Sequence, residues 1–259
     1  PIECAYCDWE SYDIPRGVGL LIPSSGRRNR PTTAQFRPMK TSLICLIAIL
    51  LLTGTALSET YRYSPGQTYL LPEAFANLES GDRVVLERGN YTLEHGLRLT
   101  DLSNITIEGQ GRVNLQVNDL DSPVLEIMGC TDVTIKQLRL SHKNPGKEYQ
   151  CEGAVIKVAN SEKVLVARNH LNGCGAAGVY AVQSKEIFVY QNRIYNNTYA
   201  GVWLTDAQVL VHDNDIYDNA AALSTYGKCD VTFTENRIRD NAGNDYVKGG
   251  YFERAIKDL

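Results

Sequence analysis

Residues 164–171, 187–194, 209–216 and 231–238 read VLVARNHL, IFVYQNRI, VLVHDNDI and VTFTENRI. Each carries Asn in its sixth place, at Asn169, Asn192, Asn214 and Asn236, so the intervals are 23, 22 and 22 residues. A second Asn recurs as Asn197, Asn219 and Asn241, with Cys174 in that slot of the first copy. Between copies lie Gly178-Val179-Tyr180-Ala181 and Gly201-Val202-Trp203-Leu204, and two looser copies precede them at Ile105-Thr106-Ile107 and Val133-Thr134-Ile135.

The apolar residues in each copy alternate with polar ones over stretches too short for a helix, which is the pattern of strands with one buried face. A unit of this size with three short strands cannot bury a core alone. It becomes stable when each copy is one turn of a coil and its strands pair in parallel with those above and below. The spacing therefore predicts an all-β chain, a right-handed parallel β-helix (solenoid) of about six coils, with repeats over about residues 82–241. The recurrent Asn suits a corner, because it tolerates the left-handed backbone and its amide can bond along the stack. A β-sandwich would give alternating strands without a fixed interval. Short helical caps are expected at residues 72–78 (PEAFANL) and over 246–259, where Phe252, Ala255, Ile256 and Leu259 have helical spacing.

The pattern V-x-V/I/F-x-x-N-x-I followed by G-V-x-L resembles the parallel β-helix repeat of the pectate-lyase-like superfamily. Residues 81–91 (GDRVVLERGNY) also resemble the first coil of many such proteins, G-D-x-V-x-L-x-x-G-x-Y. The resemblance covers roughly residues 72–241 and is specific for the fold, because the matched residues are structural. For activity it implies action on a polysaccharide. The Asn-Thr-Asp, Asp-Asp and Gly-His-Gly motifs of pectin hydrolases of this fold are absent, as is the Asp-Pro-His core of secreted alginate epimerases. No acidic pair stands apart from the repeat, which disfavours a glycosidase.

The 259 residues are 43% apolar and 22% charged, with 26 Lys and Arg against 30 Asp and Glu. That composition excludes a disordered chain, and its acidity lacks the cationic footprint of a nucleic-acid binder. Of the 18 Asn, 11 fall between Asn160 and Asn244, so the Asn excess belongs to the repeat. Residues 39–58 (MKTSLICLIAILLLTGTALS) have the Lys, apolar run and small terminal residues of a secretory signal peptide, with cleavage expected before Glu59. The apolar run is short for a bilayer span. Residues 1–38 then read as translated upstream sequence outside the fold, and Cys4 and Cys7 lack the further ligands of a metal site. The remaining domain, residues 59–259, has 20 basic against 26 acidic residues, a net charge of -6. It is expected to be secreted, periplasmic or extracellular, with no membrane span after cleavage. In an oxidising compartment Cys151 and Cys174, one coil apart, are a candidate disulfide, whereas Cys130 and Cys229 lie too many coils apart to join.

Pleat alternation sorts the side chains. With Leu99, Ile127, Val158, Ala181 and Leu204 inward, Arg98, Glu126, Lys157, Tyr180 and Trp203 form one outward stripe. Such a stripe suits an extended, uronate-containing polysaccharide, with Tyr180 and Trp203 stacking on sugars and Lys157 and Arg98 as catalytic candidates meeting a carboxylate. Its other reading is an ion-pair ladder beside exposed aromatics. His212 and the irregular segment 142–152, with Lys143, Lys147 and Tyr149, are further substrate-binding candidates. Arg193, Asp215 and Arg237, and beside them Tyr195, Tyr217 and Arg239, read as stabilising ladders, and His170 as a solvated turn residue. No cofactor is evident. Asp213, Asp215 and Asp218 suggest Ca2+, but the equivalent slots one coil earlier, Gln191, Arg193 and Asn196, argue against a metal site. The function expected is binding, with lyase- or epimerase-like cleavage or modification, of an acidic polysaccharide. The alternative is a non-catalytic carbohydrate-binding or cell-surface module.

Overall fold

Val133, Val164, Ile187, Val209 and Val231 stand in register on successive parallel strands, and each is at most 3% exposed. This column is one wall of a parallel β-helix. The computed structural model describes residues 58–143, 152–173, 176–243 and 245–249, all within the compact unit Gly54–Leu259.

Three faces surround the core. The first carries Thr131–Lys136, Glu162–Ala167, Lys185–Tyr190, Gln208–His212 and Asp230–Thr234. The second carries Arg139–His142, His170–Asn172, Arg193–Tyr195, Asp215–Tyr217 and Arg237–Arg239. Two long strands, Arg83–Leu93 and Ser103–Val117, run round the corner and join these faces into one 13-stranded sheet. The third face is a seven-stranded parallel sheet from Leu97–Thr100 to Tyr246–Gly249. It gives about seven turns, close to the six expected. The difference lies at the C-terminal end, where Tyr246–Gly249 pairs with Ala221–Tyr226 instead of starting a cap. Residues 250–259 lie outside the described residues.

At the other end Leu71–Ala76 is the expected short helix, with Leu71 and Phe75 buried over the first turn. It covers backbone groups and apolar side chains that an open coil would expose. Among the described residues no helix is long and apolar enough to cross a membrane.

The motif Asn amides bond along the stack as expected, but the left-handed backbone is not theirs. The left-handed residue is the one before each Asn: Arg168, Gln191, Asp213 and Glu235 have φ of 56°, 53°, 54° and 57°. That turn swings the Asn side chain inward. Asn192 Nδ2 donates to Val166 O at 2.8 Å and to Asn214 Oδ1 at 3.0 Å. Its own Oδ1 accepts from Asn169 N at 2.9 Å and Asn169 Nδ2 at 3.2 Å. Asn214 repeats the arrangement with Asn236. A buried amide with both donors and acceptors can satisfy the coil above and the coil below, which an acid or hydroxyl cannot do alone. Asn197, Asn219 and Asn241 build a second such column.

The glycines of the Gly-Val pairs are fixed by space. A Cβ on Gly178 would stand 2.3 Å from Ile194 Cγ2, and one on Gly201 2.6 Å from Ile216 Cγ2.

Because Asn192→Ala strands buried groups on two neighbouring turns, it should cost about 3 kcal/mol of unfolding free energy, whereas Asn236→Ala, at the half-buried end of the column, should cost about 1. Chemical denaturation of the two variants measures this. Equal losses would mean that the ladder is not carried by burial.

Candidate functional site

The third face puts Arg98, Glu126, Lys157, Tyr180 and Trp203 side by side, followed by Ser224. Glu126 is 6% exposed. It accepts from Arg98 Nε at 2.7 Å and from Lys157 Nζ at 3.0 Å. Both cations of the expected catalytic pair therefore share one carboxylate. The aromatic half is open: Tyr180 stacks on Trp203 with ring centroids 4.5 Å apart, and Tyr199 meets Trp203 edge-on at 4.8 Å.

His212 belongs to the first face, stacked on Tyr190 and 3.7 Å from Glu235. Lys143 is exposed at the end of the second-face strand Arg139–His142, its N–H bonded to Val117 O. Lys147, Tyr149, Cys151 and Cys174 lie outside the described residues. Cys130 and Cys229 are buried free thiols. Asp213 accepts from Gln191 and Asp215 from Arg239, so these two acids of the Ca2+ reading face different partners. Among the described residues no group of three His, Cys, Asp or Glu is placed to hold a metal ion.

The second face holds what the sequence reading passed over. Along it, Asn90, Asn114, Arg139, His170 and Arg193 form one outward column, and Thr92, Gln116, Ser141, Asn172 and Tyr195 the next. All of these but Arg193, together with Arg112 and Leu140, line a groove of about 470 Å³. A second hollow of about 450 Å³ shares Arg112, Arg139 and His170 and adds Arg168. His170 is a half-buried strand residue of the groove, not a solvated turn. Burial first, and then the charges of Arg139, Arg193 and Arg112, push its imidazole down to about 4. At neutral pH the ring is uncharged.

The electrostatics of the faces differ. On the first face Glu108 takes Arg83 and Lys136, and Glu162 takes Lys185. Burial alone would raise the Glu108 carboxyl, but the bonds from Lys136 and Arg83 outweigh it and hold it below the ordinary range. On the third face Glu126 pairs with Arg98 and Lys157. On the second face Arg112, Arg139 and Arg193 have no carboxylate within 4 Å among the described residues. The expected sign-alternating ladder Arg193, Asp215, Arg237 is in register, yet Asp215 bonds to Arg239 at 3.2 Å instead. Arg239 also lies 3.7 Å over the Tyr217 ring, which stacks on Tyr195 at 4.9 Å. A stretch of unpaired guanidinium groups beside amides and hydroxyls is built to take anionic, hydroxyl-rich ligands. The signal in the sequence was the recurring outward pair after the motif Asn, His170-x-Asn172 and Arg193-x-Tyr195, foreshadowed by Arg139-x-Ser141.

Comparison with curated protein sequences gives no match. Among solved structures, a pectin methylesterase mutant in complex with a hexasaccharide is similar at 12% identity and a TM-score of 0.50, over 66% of this chain and 62% of that one. The chain thus spans less than two thirds of the methylesterase. A PL6 family alginate lyase, AlyGC, aligns at 15% identity over 76% of this chain and 40% of that one, with a TM-score of 0.40. The cedar pollen allergen jun a 1 aligns at 12% over 79% and 83%, with a TM-score of 0.44. At these identities the likeness extends to the fold alone. Residues 100–252, more than half of the chain, match the family model of the right-handed β-helix region, and the chain belongs to that family.

Proposed function

We propose that this is an exported protein that binds an acidic polysaccharide lengthwise in the groove of the second face. The observation that carries the reading is that Arg112 and Arg139 line the groove, with Arg193 beside His170 on the next turn, and none of the three has a carboxylate within 4 Å among the described residues, whereas Glu108, Glu126 and Glu162 hold cations on the other faces. The expected net charge of -6 would repel a polyanion from most of the surface, so a local cationic strip gives both attraction and place. Gln116, Ser141 and Asn172 offer donors and acceptors to sugar hydroxyls, and the Tyr195–Tyr217 stack extends the surface. The pectin- and alginate-acting proteins of similar fold support a glycan as the ligand class.

Loss of one charged hydrogen-bonding contact is worth about tenfold in affinity. Arg139→Gln and Arg193→Gln should each weaken binding of polygalacturonate or alginate by about that factor, measured by calorimetry at low salt, and added salt should weaken the unmodified protein too. Lys157→Ala should change affinity less than twofold. A large loss on Lys157→Ala or Trp203→Ala with none at Arg139 would move the site to the third face.

The uncharged imidazole between two guanidinium groups favours a second reading, elimination on a uronate. Arg139 and Arg193 would neutralise the carboxylate, and His170 would take the C5 proton. The C4–O4 bond breaks as a C4=C5 double bond forms, and the leaving oxygen gains a proton from the Tyr195 hydroxyl or water. Returning a proton to the opposite face of C5 would instead be epimerisation. Absorbance of unsaturated uronates should then appear with time, be abolished in His170→Ala while glycan binding persists, and fall as the pH is lowered through about 4, where the ring becomes charged. Binding without product across pectin, alginate and glycosaminoglycans would overturn the elimination reading and leave the binding module.

A further inference from the structure

The middle outward column of the first face is apolar. Thr134, Leu165, Phe188, Leu210 and Thr232 stand in register on successive turns. Phe188 is 39% exposed, and Leu165 and Leu210 on either side of it are half-buried. The core needs only the inward residues of these strands, so it does not account for Leu, Phe and Leu in places that face solvent. The columns beside this strip differ in charge. One edge carries Asp132, Lys163, Glu186 and Gln208, all exposed, and the other Lys136, Ala167, Tyr190 and His212. Lys136 and Lys185 are held within the face by Glu108 and Glu162, whereas Asp132 has no cation within 4 Å among the described residues.

We infer that the first face is the contact surface between two copies of this chain, related by a two-fold axis that runs along the coil over the Leu165–Phe188–Leu210 column. A two-fold interface must be self-complementary. This axis keeps every turn level with the same turn of the other copy and exchanges the two edges of the face. Leu165, Phe188 and Leu210 then each meet their own image, which closes the apolar strip. Asp132 meets Lys136 of the other copy, Glu186 meets the Tyr190 hydroxyl, and Gln208 meets His212. Like charges do not face one another along either edge. A two-fold axis along the strands would also close the apolar strip, but it would set Asp132 against Asp230 and Glu186 against its own image.

The size of the face sets the strength expected. From Ser103–Val117 to Asp230–Thr234 it spans about 29 Å along the coil and about 18 Å along the strands. Two such faces packed about 10 Å apart bury about 1,000 Å² in all, the low end for a specific interface. The second and third faces stay open on both copies, so the pairing does not depend on the groove or on its ligand.

Sedimentation velocity over a range of concentrations tests the inference. The unaltered protein is expected to show a monomer–dimer equilibrium with a dissociation constant of about micromolar order. Phe188→Lys places two like charges on the axis and should weaken the dimer more than about tenfold. Tyr226→Lys, an exposed aromatic of the third face, should leave it unchanged. If Phe188→Lys fails to fold, the edges supply the test. Asp132→Lys, which puts on this turn the residue that Lys163 is on the next, and Lys136→Glu should each weaken self-association, and a mixture of the two should recover the dimer. A monomer at every concentration would overturn the inference. So would a dimer that Phe188→Lys leaves intact, or one that neither edge variant alters.

Discussion

A column of buried carboxamides fixes the distance and the register between one turn of this protein and the next. Each amide must give its protons to the coil on one side and to the buried carbonyl behind it, and accept from the other side. Slipping one strand by a residue would leave several of these groups dry and unbonded, as well as turning apolar side chains outward. The register is therefore determined from inside the core, and every outward column inherits it. Tyr180 over Trp203, Tyr195 over Tyr217 and the regular procession of the second face are consequences of that interior constraint.

With register imposed from within, the outer surface is free to vary, and the faces have used that freedom differently. Glu108, Glu126 and Glu162 each hold cations on the first and third faces. Such exposed or half-exposed ladders add little stability individually. Their larger effect is to remove isolated charge from those surfaces. The second face keeps Arg112, Arg139 and Arg193 without a carboxylate partner among the described residues, and the cost of doing so is evident at His170, whose ring is denied a proton by burial and its neighbours. An arrangement of that kind gains from the arrival of an anion.

Much of the fold was legible because its cause is periodic. The 22-residue interval, the inward Val and Ile columns and the pairing of Arg98, Glu126 and Lys157 all follow from alternation and register. Two things did not follow. The Asn excess suggested both a left-handed backbone and an amide bonded along the stack; the second holds, whereas the strained turn belongs to the residue before it, and Arg, Gln, Asp and Glu all fill that slot. A repeat shows that a position matters without showing which of two adjacent residues bears the constraint. The groove was missed because His170 directly follows a motif Asn, which made it look like part of the corner, when the chain has already entered the next strand there. Strand Tyr246–Gly249 escaped for a different reason: it lacks the Gly-Val-x-Leu pattern of earlier copies and is recognised only by pairing with Ala221–Tyr226.

The coil also suggests how such a surface can change over time. Duplication or loss of a whole turn leaves the carboxamide column unbroken and the core filled, since each turn contacts only its neighbours. Yet it would move every later outward residue by one place relative to those before it. Inserted between His170 and Arg193, a single turn would separate Arg139 from Arg193 by three strand spacings instead of two. A lineage of coils that are interchangeable in the interior can thus alter the rhythm of its surface charges in one step, without passing through an unstable intermediate.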